Sequence, residues 1–143
     1  MRNAAIALVV AGAALAFFIV RTQTDTPVAS PQAGSNGAAI VDIAVPEDLS
    51  EKAKIGKVAF DAKCASCHGA NAVGQEGVAP PLVHIIYEPS HHADEAFQRA
   101  VAGGVRSHHW RFGDMPPVDG LTRGDVGMIV AYIRELQRAN GIN

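Results

Sequence analysis

The chain contains only two cysteines, Cys64 and Cys67, three residues apart and followed directly by His68. Two cysteines cannot build a multi-disulfide scaffold, so the pair points to a local cysteine chemistry. It sits in a chain of 143 residues, enough for one small folded unit. With 48% hydrophobic and 18% charged residues and a net charge of −2, the composition argues against disorder. The near-balance of charge also excludes a dedicated nucleic-acid binder, which needs a concentrated positive surface. Aromatic residues make up only 6% of the chain. Small domains bury proportionally little surface and often need a metal, a crosslink or a cofactor to be stable.

The hydrophobic residues divide into two groups. Ala4 to Val20 is an uncharged, mostly apolar run between Arg2 and Arg21. Residues 1–21 are therefore either a secretory signal, cleaved at Ala14-Leu15-Ala16, or an uncleaved membrane anchor. A helix over residues 4–20 reaches only about 25 Å, near the lower limit for a span. The anchor is the favoured reading, because Phe17-Phe18-Ile19-Val20 continues past the cleavage site. Either way the remainder is expected to be exported. Residues 22–45 are mostly Thr, Gln, Ser, Pro, Gly, Asn and Ala and read as a flexible linker. Val41 to Val45 is either a docking strand or the linker's end. The folded domain is expected over residues 46–143, beginning near Pro46.

Three helices are predicted within it. The first starts near Asp48 or Ser50, both good caps, and runs to Lys63. Its stripe of Leu49, Ala53, Gly56, Phe60 and Cys64 places Cys64 at the end of a buried face. The second covers Asp94 to Ala102, with Ala96, Phe97, Ala100 and Val101 inward. The third runs from the cap Thr122 to Arg138, with Val126, Ile129, Val130, Ile133 and Leu136 inward. Arg134 and Arg138 there complement the helix dipole. Long Gly/Pro-rich segments, Gly69 to Pro89 and Gly103 to Gly120, separate the helices and are expected to wrap something. No alternating strand pattern is present.

Cys64-Ala65-Ser66-Cys67-His68 is a C-x-x-C-H sequence, the signature of c-type haem attachment. Two thiols at a helix end can each form a thioether to a haem vinyl group, and the adjacent imidazole reaches the iron. A thioredoxin-like dithiol calls for a βαβ context that is missing here. A structural disulfide would close a tiny loop and leave His68 unexplained. Zinc held by the cysteines and later histidines does not match compact finger spacings.

Over about Glu51 to Arg138 the sequence resembles the class I monohaem cytochrome c family. Gly56-Lys57-Val58-Ala59-Phe60 is similar to the family's first helix, and Pro80-Pro81-Leu82 to its Pro-x-Leu. Asp114-Met115-Pro116-Pro117 is similar to its Met-Pro turn, and Ala131-Tyr132-Ile133 to its last helix. The resemblance implies an all-α domain wrapped around one covalent haem c, after an N-terminal hydrophobic helix and linker. It implies attachment at Cys64 and Cys67, and iron ligation by His68 and Met115. The Pro80 carbonyl would accept a hydrogen bond from His68, and Tyr132 would pack near Gly56 and Phe60. The residues agree about Met115, since it lies in a loop able to deliver its sulfur, whereas Met128 lies mid-helix and reads as core filler.

His84, His91, His92, His108 and His109 fall outside the family pattern. They read either as solvated histidines, some of them meeting haem propionates along with Arg106, Trp110 or Arg111, or as a second metal site, with copper the best match for imidazoles. The expected function is one-electron transfer in the bacterial periplasm by a monomer anchored to the inner membrane through residues 4–20. The partners are expected to be redox proteins, a membrane respiratory complex or a dehydrogenase, and no enzymatic role is expected. The alternatives are a haem peroxidase or gas sensor with a displaceable Met115, and a copper-handling accessory cytochrome.

Overall fold

The structure is a computed structural model and describes residues 37–143. The anchor or signal expected over residues 1–21, and the linker up to residue 36, lie outside the described residues. Among the described residues there are four helices: α1 (Glu51–Lys63), the single turn α2 (Ala65–His68), α3 (Asp94–Gly103) and α4 (Arg123–Ala139). Short 3-10 turns occupy Ala70–Ala72 and Ile85–Tyr87. No strand occurs among the described residues, only isolated bridges pairing Gln75 with Ala79 and Val105 with Met115.

Helix α1 starts where its cap predicts: the Ser50 hydroxyl accepts from the Ala53 N–H. Helix α4 starts with a capping box, in which Thr122 and Asp125 satisfy each other's backbone N–H groups. The two helices cross at Gly56. A Cβ there would lie 1.9 Å from the Met128 carbonyl oxygen, so only glycine permits this approach. Beside the crossing, the Phe60 and Tyr132 rings meet edge-on at 5.7 Å. Ala53, Phe60, Ile129, Tyr132, Ile133 and Leu136 form the centre of the core, with Leu49 and Cys64 partly buried at its margin. Met128 is half-buried at the crossing.

The packed chain begins upstream of Pro46. The Ile40 and Val41 N–H groups donate to the Val73 carbonyl, and Glu76 N–H donates to Ala38. The Asn140 side chain bonds both the N–H and the carbonyl of Ala44, and Ile43 packs on the core. This segment is a docked extended arm, neither a strand nor free linker. Ile43 lies within the Val41 to Val45 stretch read from the sequence as a possible docking strand, and Ile40 lies just ahead of it.

Arg134 also differs from its sequence reading. It is buried at 7% exposure instead of decorating a helix end. Its guanidinium donates to Asp94, to the carbonyls of Tyr87 and His92, and to Gln137. Gln137, fully buried, donates in turn to the carbonyls of Leu82 and Tyr87. The segment from Leu82 to His92 has little regular structure of its own, and these two side chains satisfy its backbone and fix it on α4.

Candidate functional site

An apolar cavity of about 310 Å³ lies between α1, α3, α4 and the loops. Phe60 and α4 residues Val126, Ile129 and Ile133 make one part of its wall. Ala96, Phe97, Ala100 and Val101 of α3 make another. The apolar stripe of α3 is therefore not sealed against protein: no α3 residue is buried, and the stripe faces the cavity.

Cys64, Cys67 and His68 all line this cavity. Helix α1 delivers Cys64, whose N–H bonds the Phe60 carbonyl, and the turn α2 brings round Cys67 and His68. The two sulfurs are not bonded to each other. Burial, and then the neighbouring Cys67, push the Cys64 thiol up to about 11. A redox-active dithiol instead needs a depressed pKa.

His68 is 9% exposed, and its Nδ1 lies 2.9 Å from the Pro80 carbonyl oxygen. A carbonyl only accepts, so Nδ1 carries the proton and Nε2 keeps its lone pair. Burial lowers the His68 pKa, and the Pro80 bond opposes this, leaving a neutral ring as the favoured form. The turn is secured from outside by Gln75, 2% exposed, whose amide donates to the Ala65 and Ser66 carbonyls. The sequence reading missed Gln75; its one signal was a long polar side chain in a Gly-rich loop seven residues after His68.

Met115 lines the same cavity. Its backbone pairs with Val105 through two bonds of 2.9 Å, closing the 105–115 loop at its base. Gly104 makes that closure possible. It ends α3 with φ +74°, and a Cβ there would come within 2.5 Å of the Met115 carbonyl oxygen. Higher in the loop, Asp114 accepts from the Ser107 N–H at 2.8 Å, and the Ser107 hydroxyl donates to the Trp110 carbonyl. Trp110 Nε1 is buried without a hydrogen-bond partner.

Four of the five extra histidines come together. Ring nitrogens of His91, His92 and His109 lie within 4.8 Å of one another, and the His108 ring centre is 4.3 Å from that of His109. His84 stands apart from this group, packed edge-on against Trp110 with its Nδ1 accepting from the Ile86 N–H. His92 belongs both to the imidazole group and to the cavity wall. Desolvation, followed by the facing His108, His92 and His91, lowers the His109 pKa. No cysteine belongs to this group, so the zinc reading that joined the thiols to these imidazoles has no support among the described residues.

All five residues singled out from the sequence thus meet around one cavity: four line it, and Pro80 orients His68. A family model, Cytochrome c, matches residues 53–137, more than half of the chain. No curated protein matches it.

Proposed function

The chain belongs to the cytochrome c family, and its haem c is covalently attached and serves electron transfer; from that premise we propose that it is a one-electron carrier whose iron is ligated by His68 and Met115. The observation that carries this reading is the convergence of Cys64, Cys67, His68 and Met115 on a single apolar cavity. Three features of the chain fit the group. The wall is formed by aliphatic and aromatic side chains, which suit a flat hydrophobic ring system. The paired thiols stand where α1 ends. His68, its Nδ1 held by the Pro80 carbonyl, would offer a free Nε2 lone pair to the iron.

When bound, haem iron supplies a ferric/ferrous couple. The chain's own residues tune and protect it. Pro80 holds the His68 tautomer and makes Nε2 a stronger donor. The Val105 bridge fixes the backbone from which the Met115 thioether projects. A thioether paired with an imidazole raises the potential of such a couple. With both donors supplied by the protein, no position is left for an external ligand. Cys67 is exposed, so the cavity meets the surface there and gives an electron a short route in and out.

We assign the mature domain to the periplasm, where residues 4–20 would anchor it to the inner membrane and a linker would let it move between partners. Those partners are redox proteins, a respiratory complex or a dehydrogenase, met by a monomer. Carbon monoxide tests the ligation: the reduced, haem-loaded protein should not bind it on mixing. Fast, complete binding would instead support a peroxidase or gas sensor with a displaceable Met115.

A further inference from the structure

Two loops far apart in sequence converge with four imidazoles, which the haem role leaves unused. His91 and His92 precede α3, and His108 and His109 follow it. The rings of His91 and His109 meet at 5.3 Å, those of His92 and His109 at 5.3 Å, and those of His92 and His108 at 6.2 Å. Four basic side chains crowded together repel one another whenever they are protonated.

Second-sphere contacts set the donors in the form a metal needs. His92 Nδ1 lies 2.7 Å from the Ile86 carbonyl oxygen, and His108 Nδ1 lies 2.8 Å from that of Arg106. Each Nδ1 is therefore the donor, and each Nε2 keeps a free lone pair. A ligating histidine characteristically gives its other N–H to such a carbonyl. Both loops are also tied down, His92 by Arg134 on its carbonyl and the second loop by the Val105–Met115 bridge. Adjacent nitrogens about 2.0 Å from one tetragonal copper(II) ion lie roughly 2.8 Å apart. His91 and His109 are exposed, so their rings can rotate to close the remaining distance.

We propose that His91, His92 and His109, with His108 as an available fourth ligand, form a second metal site that binds copper(II) beside the haem cavity. Neutral imidazole donors with no thiolate or carboxylate among them suit late first-row divalent ions, and copper(II) heads the affinity order of that series. The proposal is independent of the haem ligands: neither Met115 nor His68 belongs to the imidazole group.

The test is calorimetric titration of the oxidised, haem-loaded protein with copper(II) in a non-coordinating buffer, with electron paramagnetic resonance of the loaded sample. The visible haem spectrum recorded before metal is added reports separately on the haem assignment. The expected result is one copper per chain with nitrogen hyperfine structure in its signal. H91Q and H109Q, both at exposed positions, should each weaken binding at least about tenfold, whereas H84Q should leave it unchanged. No heat above the blank, binding that survives in the H91Q/H92Q/H109Q protein, or zinc(II) binding as tightly as copper(II), would overturn the assignment.

Discussion

Replacing Gly56 with alanine separates two opposed effects of one methyl group. In a helix interior the change from glycine to alanine stabilises by about 1 kcal/mol through helix propensity. At Gly56 the added Cβ would meet the Met128 carbonyl oxygen at 1.9 Å, its carbon at 2.4 Å and the Ile129 nitrogen at 2.9 Å. All three are backbone atoms, so no rotamer change can relieve the clash. Helices α1 and α4 must move apart by more than about 1 Å to restore ordinary contact, and a gap of that size forfeits roughly half of each dispersion contact across it. Overpacking of this kind costs about 3 kcal/mol or more, leaving a net loss of about 2 kcal/mol after the propensity gain. Gly127 is the control. It lies on the exposed side of α4 with nothing within 4 Å of its added Cβ, so G127A should gain about 1 kcal/mol. Urea unfolding of the haem-loaded proteins, followed by circular dichroism, measures both. At a slope of about 2 kcal/mol per molar, the midpoint should fall by about 1 M in G56A and rise by about 0.5 M in G127A. A G56A midpoint at or above that of the wild type would refute the close-crossing argument, and so would equal losses in the two variants.

Further outcomes follow from the loop supports. Arg134→Met leaves the His92 carbonyl and the Gln137 amide oxygen without their donor, and should cost about 2–4 kcal/mol in the same unfolding measurement. It should also weaken copper binding, because His92 loses its tie to α4. The Asp125 carboxyl is held below its ordinary value of 3.8 by the Thr122 hydroxyl and backbone N–H. A depressed folded-state pKa stabilises above the unfolded value and loses that contribution as pH falls through the folded one. The stability gap between wild type and D125N should thus be constant above about pH 5 and shrink in acid; a gap that widens in acid would contradict the capping box.

Much of this site is legible in the sequence because its chemistry is local or its side chains are distinctive. C-x-x-C-H is a contiguous motif, Met115 stands out in a Pro/Gly loop, and the α1 and α4 stripes follow helical periodicity. Ser50 and Thr122 start their helices as N-caps should. What was hidden depends on long-range pairing of ordinary residues. Arg134 near a helix end reads as a solvated charge, and only the fold shows four acceptors around it. Gln75 and Gln137 carry no pattern, yet both satisfy backbone carbonyls in loops that have no regular structure. The arm was legible only in part, as a possible docking strand at Val41 to Val45; its start at Ala38 lies in the stretch read as linker. The histidine pairs lie in segments separated by α3, and only loop geometry brings three of their nitrogens within 4.8 Å.

The electron-transfer account rests on the pairing of His68 with Met115. The visible spectrum of the oxidised, haem-loaded protein measures it directly, since a thioether bound to ferric iron gives a charge-transfer band that an imidazole pair does not. The account predicts this band in the wild type and its loss in M115A; the same band, unchanged in M115A, would contradict it.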